Sequence, residues 1–280
     1  MELQLNLGEG VWMDAMSCAG AMATTCLPHC ANEGDEEVMQ GIDELLRMLF
    51  YYYDPKLALH LDQRGIAPSI YCRPWTTTLF TESGSLATVS KLWDCYFTER
   101  DTLLFAFIAV AMVLDAKEQL MAANEKDLLI ERLKGINFFD EDHVCRIFNR
   151  ARALHDHAPL SFKKQLYSVV TLDPNAKKWI KENVTGAVCV HVSIGDCLKE
   201  QAKGKHVFFV DCRTEEEIGS CGTLPLAFPL PAQQVLENPK EFEESLKSLR
   251  AMQEDCPELQ FALCGARGHG PRDPGSADLN

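Results

Sequence analysis

Cys264 is the residue whose position could support nucleophilic chemistry. It ends the apolar run "LQFALC" and begins the glycine-rich segment "CGARGHG". Backbone N–H groups of such a loop, together with the guanidinium of Arg267, could stabilise a thiolate. No helix is predicted after the loop, so the dipole of a helix N-terminus would not add to this stabilisation. A thiol buried at the end of a strand fits the same residues, and this second interpretation is favoured.

Asp211, Cys212 and Arg213 form a second candidate, in the stretch "KHVFFVDCRTEEE". They lie at the carboxyl end of a predicted strand, which is where open α/β sheets collect their ligands. The same residues can instead make a structural corner, in which the carboxylate accepts backbone N–H groups of the following turn. The structural interpretation is favoured here too, with Cys212 as an incidental thiol.

A zinc site is the third possibility. Four residues near the N-terminus could ligate zinc: Cys18, Cys26, His29 and Cys30. Their spacing lacks the paired Cys-x-x-Cys knuckles of a structural zinc site, so no metal is predicted. The sequence also contains no glycine-rich phosphate loop, Gly-x-Ser-x-Gly elbow or His-Glu-x-x-His pair, and no cofactor is predicted.

The elements that precede these candidates are helical. Apolar residues recur at helical spacing from Glu36 to Tyr53, and a second helix is predicted from Pro55 to a C-terminal cap at Gly65. A helix is predicted around residues 68–81, interrupted by Pro74. The apolar run "TLLFAFIAVAMVL" predicts the start of a fully buried helix over 102–123, and the run is shorter than the ~20 residues of a membrane span.

The pattern changes after residue 170. Strands are predicted for "AVCVHVS" (187–193), "HVFFVDC" (206–212), "LPLAFPL" (224–230) and "ELQFALC" (258–264), with helices between them. This alternation predicts a parallel α/β sheet. The predicted domains are a poorly ordered segment 1–35, a helical lobe 36–170, a linker 171–186, an incomplete α/β domain 187–264 and a disordered tail 265–280.

Composition limits the classes of function. The chain has 280 residues and a net charge of −14, which argues against binding to nucleic acids or to anionic membranes without help. Its twelve cysteines are irregularly spaced, and most lie in apolar runs, so we expect reduced, buried thiols in a cytoplasmic protein. No secretory signal peptide is predicted.

The C-terminal half resembles a rhodanese-like domain. The segment "VFFVDCRTEEEIGSCGTLPLAFPL" matches that family's pattern at Asp211, Arg213 and Gly222, with Glu216 or Glu217 as its acidic residue. Thr223 stands where the family has histidine. The resemblance implies a nucleophile position near Cys264, but "CGARGHG" departs from the family's loop and lacks the helix that should follow. It therefore implies a domain without sulfur-transfer activity.

The helical half resembles the C-terminal lobe of a TBC domain, the fold of Rab GTPase-activating proteins. The segment "VSKLWDCYF" before the long apolar helix carries this resemblance, with Leu92, Trp93 and Asp94 assigned to the core of the lobe. Active TBC domains use an arginine finger and a glutamine finger. Neither motif is found, since Tyr71-Cys72 is followed by Arg73-Pro74 rather than Gln-Gly. The resemblance therefore implies no GTPase activation.

The expected fold is thus an all-α partial TBC (Rab-GAP) C-terminal lobe followed by a truncated α/β rhodanese-like domain. The N-terminal TBC lobe is expected to be absent, and the tail to replace the last rhodanese elements. The expected function is that of a non-catalytic adaptor or tether in transport from endosomes to the trans-Golgi network. Its expected partners are golgins and Rab GTPases, reached from the cytoplasm at Golgi and vesicle membranes. Rab GTPase activation and sulfur transfer through Cys264 are the alternatives.

Overall fold

The computed structural model describes residues 16–17, 20, 24, 35–184, 187, 189–222, 226–231, 233–256 and 258–265. The chain is divided into two compact units, which are Met1–Val190 and His191–Asn280. The helices of the first unit are α1 (Glu36–Tyr53), α2 (Pro55–Asp62), α3 (Cys72–Thr78), α4 (Leu86–Glu99), α5 (Leu104–Asp115), α6 (Lys117–Met121), α7 (Lys126–Lys134), α8 (Glu141–His157), α9 (Leu160–Val170) and α10 (Ala176–Asn183). A short 3-10 helix, Pro68–Ile70, precedes α3.

Helix α5 is the centre of the first unit. Every residue from Leu104 to Leu114 is buried, so the helix has no solvent face and needs neighbours all round. The helix predicted over 102–123 is two helices, because α5 ends at Asp115 and α6 begins at Lys117. Helices α1, α3, α6 and α8 contact α5 directly, and the other helices share one continuous apolar core with it.

The ends of α1 and α2 follow the capping rules. Asp35 accepts a hydrogen bond from the backbone N–H of Val38 and so caps α1. Asp54 caps α2 in the same way, through the N–H of Leu57, with Pro55 at the first helical position. Gly65 has a φ of 63° just after α2, which confirms the predicted glycine cap.

Two predictions for the first unit need correction. Pro74 does not interrupt a helix: it is the third residue of α3, in the first turn, where no intrahelical N–H donor is required. The predicted linker 171–186 contains α10, which packs against α1. Ile180 of α10 is buried against Gly41, where a side chain on Gly41 would collide with it. The first unit continues to Val190.

The second unit contains a three-stranded parallel sheet. Its elements are α11 (Ile194–Ala202), β1 (Val207–Asp211), α12 (Glu215–Cys221), β2 (Phe228–Pro229), α13 (Gln234–Glu237), α14 (Pro239–Asp255) and β3 (Gln260–Cys264). The strand order is β2-β1-β3, with Val210 opposite Phe228 and Asp211 opposite Cys264. The predicted parallel α/β arrangement is therefore present.

The core of the second unit is small. Its core cluster consists of three buried residues, Val210, Leu230 and Leu249, with partly buried and mostly aromatic residues around them. The strand predicted over 187–193 is wrong, since the described residues there (187 and 189–193) form no strand. Of the strand predicted over 224–230, the described residues 226–230 contain the two residues of β2. Most of the predicted tail, from residue 266 on, lies outside the described residues.

None of the helices that the structure describes is both long enough and apolar enough to cross a membrane.

Candidate functional site

Asp211 and Arg213 form a closed corner at the carboxyl end of β1. Arg213 donates from Nε to Oδ1 of Asp211 at 2.9 Å and from Nη2 to Oδ2 at 2.7 Å. The backbone N–H of Arg213 also donates to Oδ1, at 3.2 Å. These bonds hold the pKa of Asp211 below its ordinary value, chiefly through the Arg213 side chain. Both groups are therefore engaged with each other, as in the structural corner that the sequence predicts.

Gly222 closes the turn that follows. Nη2 of Arg213 donates to the carbonyl oxygen of Gly222 at 2.9 Å, and Gly222 has a φ of 80°. Between Arg213 and Gly222, α12 begins with a capping box in which Thr214 and Glu217 satisfy each other's backbone N–H groups. The spacing Thr-x-x-Glu carries this signal in the sequence. Glu217, rather than Glu216, is the acidic residue with a defined role here.

Cys264 does not have the surroundings of a reactive nucleophile. It lies at the end of β3, opposite Asp211, and its carbonyl oxygen accepts from the N–H of Cys212 at 2.8 Å. Burial and the Asp211 carboxylate raise the pKa of Cys264, and Arg213 offsets this only in part. The proposed thiolate partner Arg267 lies outside the described residues. The thiol form of Cys264 is favoured at neutral pH.

The Leu-Trp-Asp segment of α4 is divided between core and surface. Leu92 is fully buried, and the indole N–H of Trp93 donates to the carbonyl oxygen of Leu79 at 2.8 Å. This bond satisfies one of the free carbonyls at the C-terminus of α3. Asp94 is exposed, so its assignment to the core of the lobe is wrong. On a helix it follows Trp93 by about 100° and points away from the core.

Arg73 of α3 connects this helix to α1 of the first unit through hydrogen bonds and ion pairs. Its Nε donates to Oδ2 of Asp43 at 3.0 Å, and its Nη1 donates to both carboxylate oxygens of Glu36, at 2.9 and 3.1 Å. A further bond joins Nη2 to Asp43. Burial raises the pKa of Asp43 to about 6, although Arg73 acts in the opposite direction. The neighbouring Tyr71 and Cys72 are buried, which raises their pKa values as well.

Asp43 makes the stability of the first unit depend on pH. A carboxyl whose pKa rises from 3.8 to about 6 on folding stabilises the fold fully below about pH 4 and loses this contribution as pH rises through 6. The loss corresponds to about 3 kcal/mol. Replacing Asp43 with Asn should therefore flatten the fall in unfolding free energy between pH 4 and 6, measured by urea unfolding followed through tryptophan fluorescence.

Asp94 provides the matched control for this experiment, because it is an exposed aspartate in the same unit. Asp94→Asn should leave the pH dependence as in the unmodified chain. If Asp43→Asn and the unmodified chain gave the same pH curve, the pKa of Asp43 would not be raised on folding, and the Arg73 bonds would offset the effect of burial.

Arg47 organises a second cluster, which the sequence does not reveal. It donates to Oδ2 of Asp62 at 2.8 and 2.6 Å, and the hydroxyl of Tyr51 donates to the same oxygen at 2.7 Å. Arg47 also donates to the carbonyl oxygen of Ala187 at 3.0 Å. A cavity of about 10 Å³ beside it has room for about one water molecule. The cluster joins α1 to α2 and leaves no space for a ligand.

His143 is a buried structural residue. Its Nδ1 accepts from the N–H of Phe139 at 3.2 Å, so its Nε2 carries the proton and faces Asp115 Oδ2, at 3.2 Å. The sequence names no partner for it, since Asp115 lies 28 residues away. Within the described parts of the chain, no group of three or more His, Cys, Asp or Glu side chains could hold a metal ion. The four residues considered for zinc, Cys18, Cys26, His29 and Cys30, lie outside the described residues.

The cysteines that the structure describes are free thiols: Cys72, Cys95, Cys145, Cys189, Cys197, Cys212, Cys256 and Cys264. Cys72 is buried, but Cys189 is exposed and the rest are intermediate. The expectation of buried thiols therefore holds for Cys72 and is wrong for Cys189. The described residues around Cys189, 187 and 189–193, form no strand that would cover it.

Comparison with known protein families gives a match within the first unit. Residues 13–121 match the Rab-GTPase-TBC domain family. A TBC/Rab-GAP domain is therefore present in the chain. The match begins before the predicted start of the lobe at residue 36 and ends at the last residue of α6, so the helices from α7 to α10 follow it.

The individual proteins to which the chain is similar share only a low sequence identity with it. The chain is 28% identical over 125 residues to the TBC domain-containing protein kinase-like protein of Homo sapiens, covering 44% of this chain and 14% of that protein. It is 28% identical over 90 residues to TBC1 domain family member 4 of Mus musculus, covering 32% and 7%. It is 26% identical over 114 residues to growth hormone-regulated TBC protein 1 of Rattus norvegicus, covering 41% and 37%. The matched part is thus well under half the length of each relative.

Proposed function

We propose that the chain is a non-catalytic adaptor in vesicle trafficking that acts through protein contacts made by a TBC domain and a degenerate rhodanese-like domain. In this arrangement it is similar to TBC domain family member 23, and transport from endosomes to the trans-Golgi network is the proposed process. The presence of a TBC/Rab-GAP domain supports a role connected with Rab GTPases.

The bonds of Arg73 are the observation that carries this proposal. A finger residue must reach out of its own domain to the nucleotide of a bound GTPase. Arg73 stands where the resemblance places the glutamine finger, directly after the Tyr-Cys pair, and it is bonded to Asp43 and Glu36 of α1. Removing it from Asp43 would leave a buried, unpaired carboxyl group. Its position therefore supports a structural role and argues against its use in trans.

The second unit supports the proposal through its sheet and its corner. Parallel strands in the order β2-β1-β3 and the Asp211–Arg213 corner are compatible with a rhodanese-like domain. A sulfurtransferase needs a cysteine thiolate, whereas burial and Asp211 raise the pKa of Cys264. The rhodanese-like domain is proposed as a binding module for this reason.

Binding to a golgin is the direct test. The purified chain is titrated with the N-terminal coiled-coil segment of a trans-Golgi golgin, and affinity is measured by calorimetry at low and at physiological salt. Because the chain carries a net charge of −14, we expect a basic partner segment and weaker binding at higher ionic strength. The same segment with a scrambled sequence is the control. Equal affinity for both segments, or no affinity for either, would remove the golgin from the proposal.

Two enzyme assays test the absence of catalysis. With a panel of Rab GTPases, the chain should leave GTP hydrolysis at its intrinsic rate, while an active TBC domain serves as positive control. Acceleration over the intrinsic rate would establish GTPase activation instead. With thiosulfate and cyanide, no turnover is expected, and turnover abolished by Cys264→Ala would establish sulfur transfer.

A further inference from the structure

Two of the most exposed large apolar side chains of the described residues lie on neighbouring segments of the first unit. Leu86 is 85% exposed and Phe139 is 78% exposed. The backbone N–H of Phe138 donates to the carbonyl oxygen of Ser83 at 2.7 Å, which joins the two segments. Exposed apolar side chains are common singly, whereas neighbouring ones indicate a surface that contacts another molecule.

The two segments approach each other closely at Gly84. A Cβ atom on Gly84 would lie only 2.5 Å from Oγ1 of Thr88 and 3.3 Å from the carbonyl oxygen of Phe138. Ser85 then caps α4, because its hydroxyl oxygen accepts from the backbone N–H of Thr88 at 3.3 Å. Leu86 is therefore the first residue of a capped helix, and a defined backbone presents it to solvent.

Phe139 is exposed but held in a defined orientation. Its ring is stacked on the ring of buried His143, with the centroids 4.7 Å apart and an angle of 12° between the planes. The bond from the N–H of Phe139 to Nδ1 of His143 ties the same two residues. Asp140 caps α8 by accepting from the N–H of His143 at 2.7 Å. A side chain that is already ordered loses little conformational freedom when a partner covers it.

Carboxylates beside these side chains give the surface an acidic border. Three exposed acidic residues follow Phe139 directly, and a fourth lies in the other segment: Asp140, Glu141, Asp142 and Glu82. No lysine or arginine occurs in either stretch, 81–86 or 138–143. Apolar residues within a border of one charge sign are complementary to a segment that combines apolar residues with the opposite charge.

We propose that the apolar–acidic surface formed by Leu86, Phe139, Glu82, Glu141 and Asp142 docks a basic, amphipathic segment of a partner protein. The apolar face of the segment covers Phe139, which is the aromatic anchor, and its lysine or arginine side chains pair with the carboxylates. The chain's net charge of −14 also attracts such a segment over longer distances.

The same charges disfavour two other occupants of the surface. An anionic membrane would be repelled by the carboxylates. A second copy of the chain, related by two-fold symmetry, would bring the same carboxylates face to face. This docking surface is independent of the golgin in the proposed function, because it is defined by contacts and charges of the described residues alone.

The test measures binding of a fluorescein-labelled synthetic peptide to the full chain by fluorescence anisotropy at physiological salt. The peptide is an amphipathic helix with leucines on one face and lysines on the other. We expect Phe139→Ala to weaken binding about tenfold, and Leu86→Ala to weaken it by a smaller factor. Leu160→Ala is the matched control, since Leu160 is also the first residue of a helix and is 50% exposed. It should leave the affinity unchanged.

The contribution of charge is tested with two variants of equal net charge. A variant with Glu141→Gln and Asp142→Asn should bind the peptide less tightly and with a weaker dependence on salt. A variant with Asp127→Asn and Glu131→Gln removes the same charge from exposed positions on α7. It should keep most of the affinity, because only the general attraction to the acidic chain is reduced.

Tryptophan fluorescence checks that the first unit of each variant remains folded. No binding of the peptide to the unmodified chain would overturn the proposal, as would an affinity that Phe139→Ala leaves unchanged. Equal weakening by the two charge variants would overturn it too, because the peptide would then respond only to net charge. A dimer in sedimentation that Phe139→Ala dissociates would mean that a second copy of the chain, and not a basic segment, occupies the surface.

Discussion

Replacing Phe107 with Ala is expected to lower the free energy of unfolding of the first unit by about 3–5 kcal/mol. Phe107 is fully buried in α5, and its ring meets the His155 ring edge-on at a centroid distance of 5.0 Å. Helix α5 is enclosed on all sides, so neighbouring helices cannot collapse into the cavity without moving one another. The loss should therefore lie toward the upper part of this range.

Tryptophan fluorescence during urea unfolding measures this effect selectively. The four tryptophans, Trp12, Trp75, Trp93 and Trp179, all precede the second unit, which begins at His191. Phe139→Ala is the matched control, since it deletes the same atoms from a side chain that is 78% exposed. Its cost should stay under about 1 kcal/mol. Equal losses from the two variants would mean that α5 is not the enclosed centre of the unit.

Composition and local capping predict much of this fold. The unbroken apolar run of α5 can belong only to a helix enclosed on all sides, because the run is too short to span a membrane. Asp54 with Pro55, and Gly65, mark helix ends by rules that act within a few residues. Such local signals do not depend on what the rest of the chain does.

Predictions of elements whose place depends on residues far away in the sequence are less accurate. The segment 187–193 has a strand-like pattern, yet the described residues there find no neighbouring strand to pair with. Residues 171–186 are predicted as a linker because the pattern changes there from helices to strands, yet α10 lies within them. Its place is determined by Gly41, about 140 residues earlier, whose missing side chain leaves room for Ile180.

For the polar sites, too, contacts between neighbouring residues can be predicted from the sequence, and contacts between distant residues cannot. The partners of the Asp211–Arg213 corner are only two positions apart, so it can be predicted from the sequence, because the turn geometry brings the side chains together. The Arg73–Asp43 contact spans 30 residues and the Arg47–Ala187 contact 140, and nothing in the local sequence relates these residues. The observation that carries the proposed function therefore becomes visible only in the structure.

Replacing Arg213 with Ala is expected to unfold the second unit at neutral pH. The Asp211 side chain is only 4% exposed, and the substitution would leave its carboxylate buried without the arginine. Breaking a buried pair in this way costs about 3–5 kcal/mol. The unit's core contains few fully buried apolar residues, so a loss of this size is comparable to the whole stability of a small domain.

Hydrogen exchange of the backbone amides in β1 and β3 provides the measurement, because the second unit contains no tryptophan. Arg213→Ala should abolish protection in both strands, whereas Arg250→Ala, at an exposed position on α14, should retain it.

At acid pH, the difference in stability between the unmodified chain and Arg213→Ala should become smaller. Arg213 lowers the pKa of Asp211 in the intact chain, so the stability gained from the pair is present above about pH 4 and lost as pH falls through the lowered pKa. In the variant, protonation instead relieves the unpaired charge. Protection that survives Arg213→Ala at neutral pH would show that the corner is dispensable and that the sheet is held by its small apolar core alone.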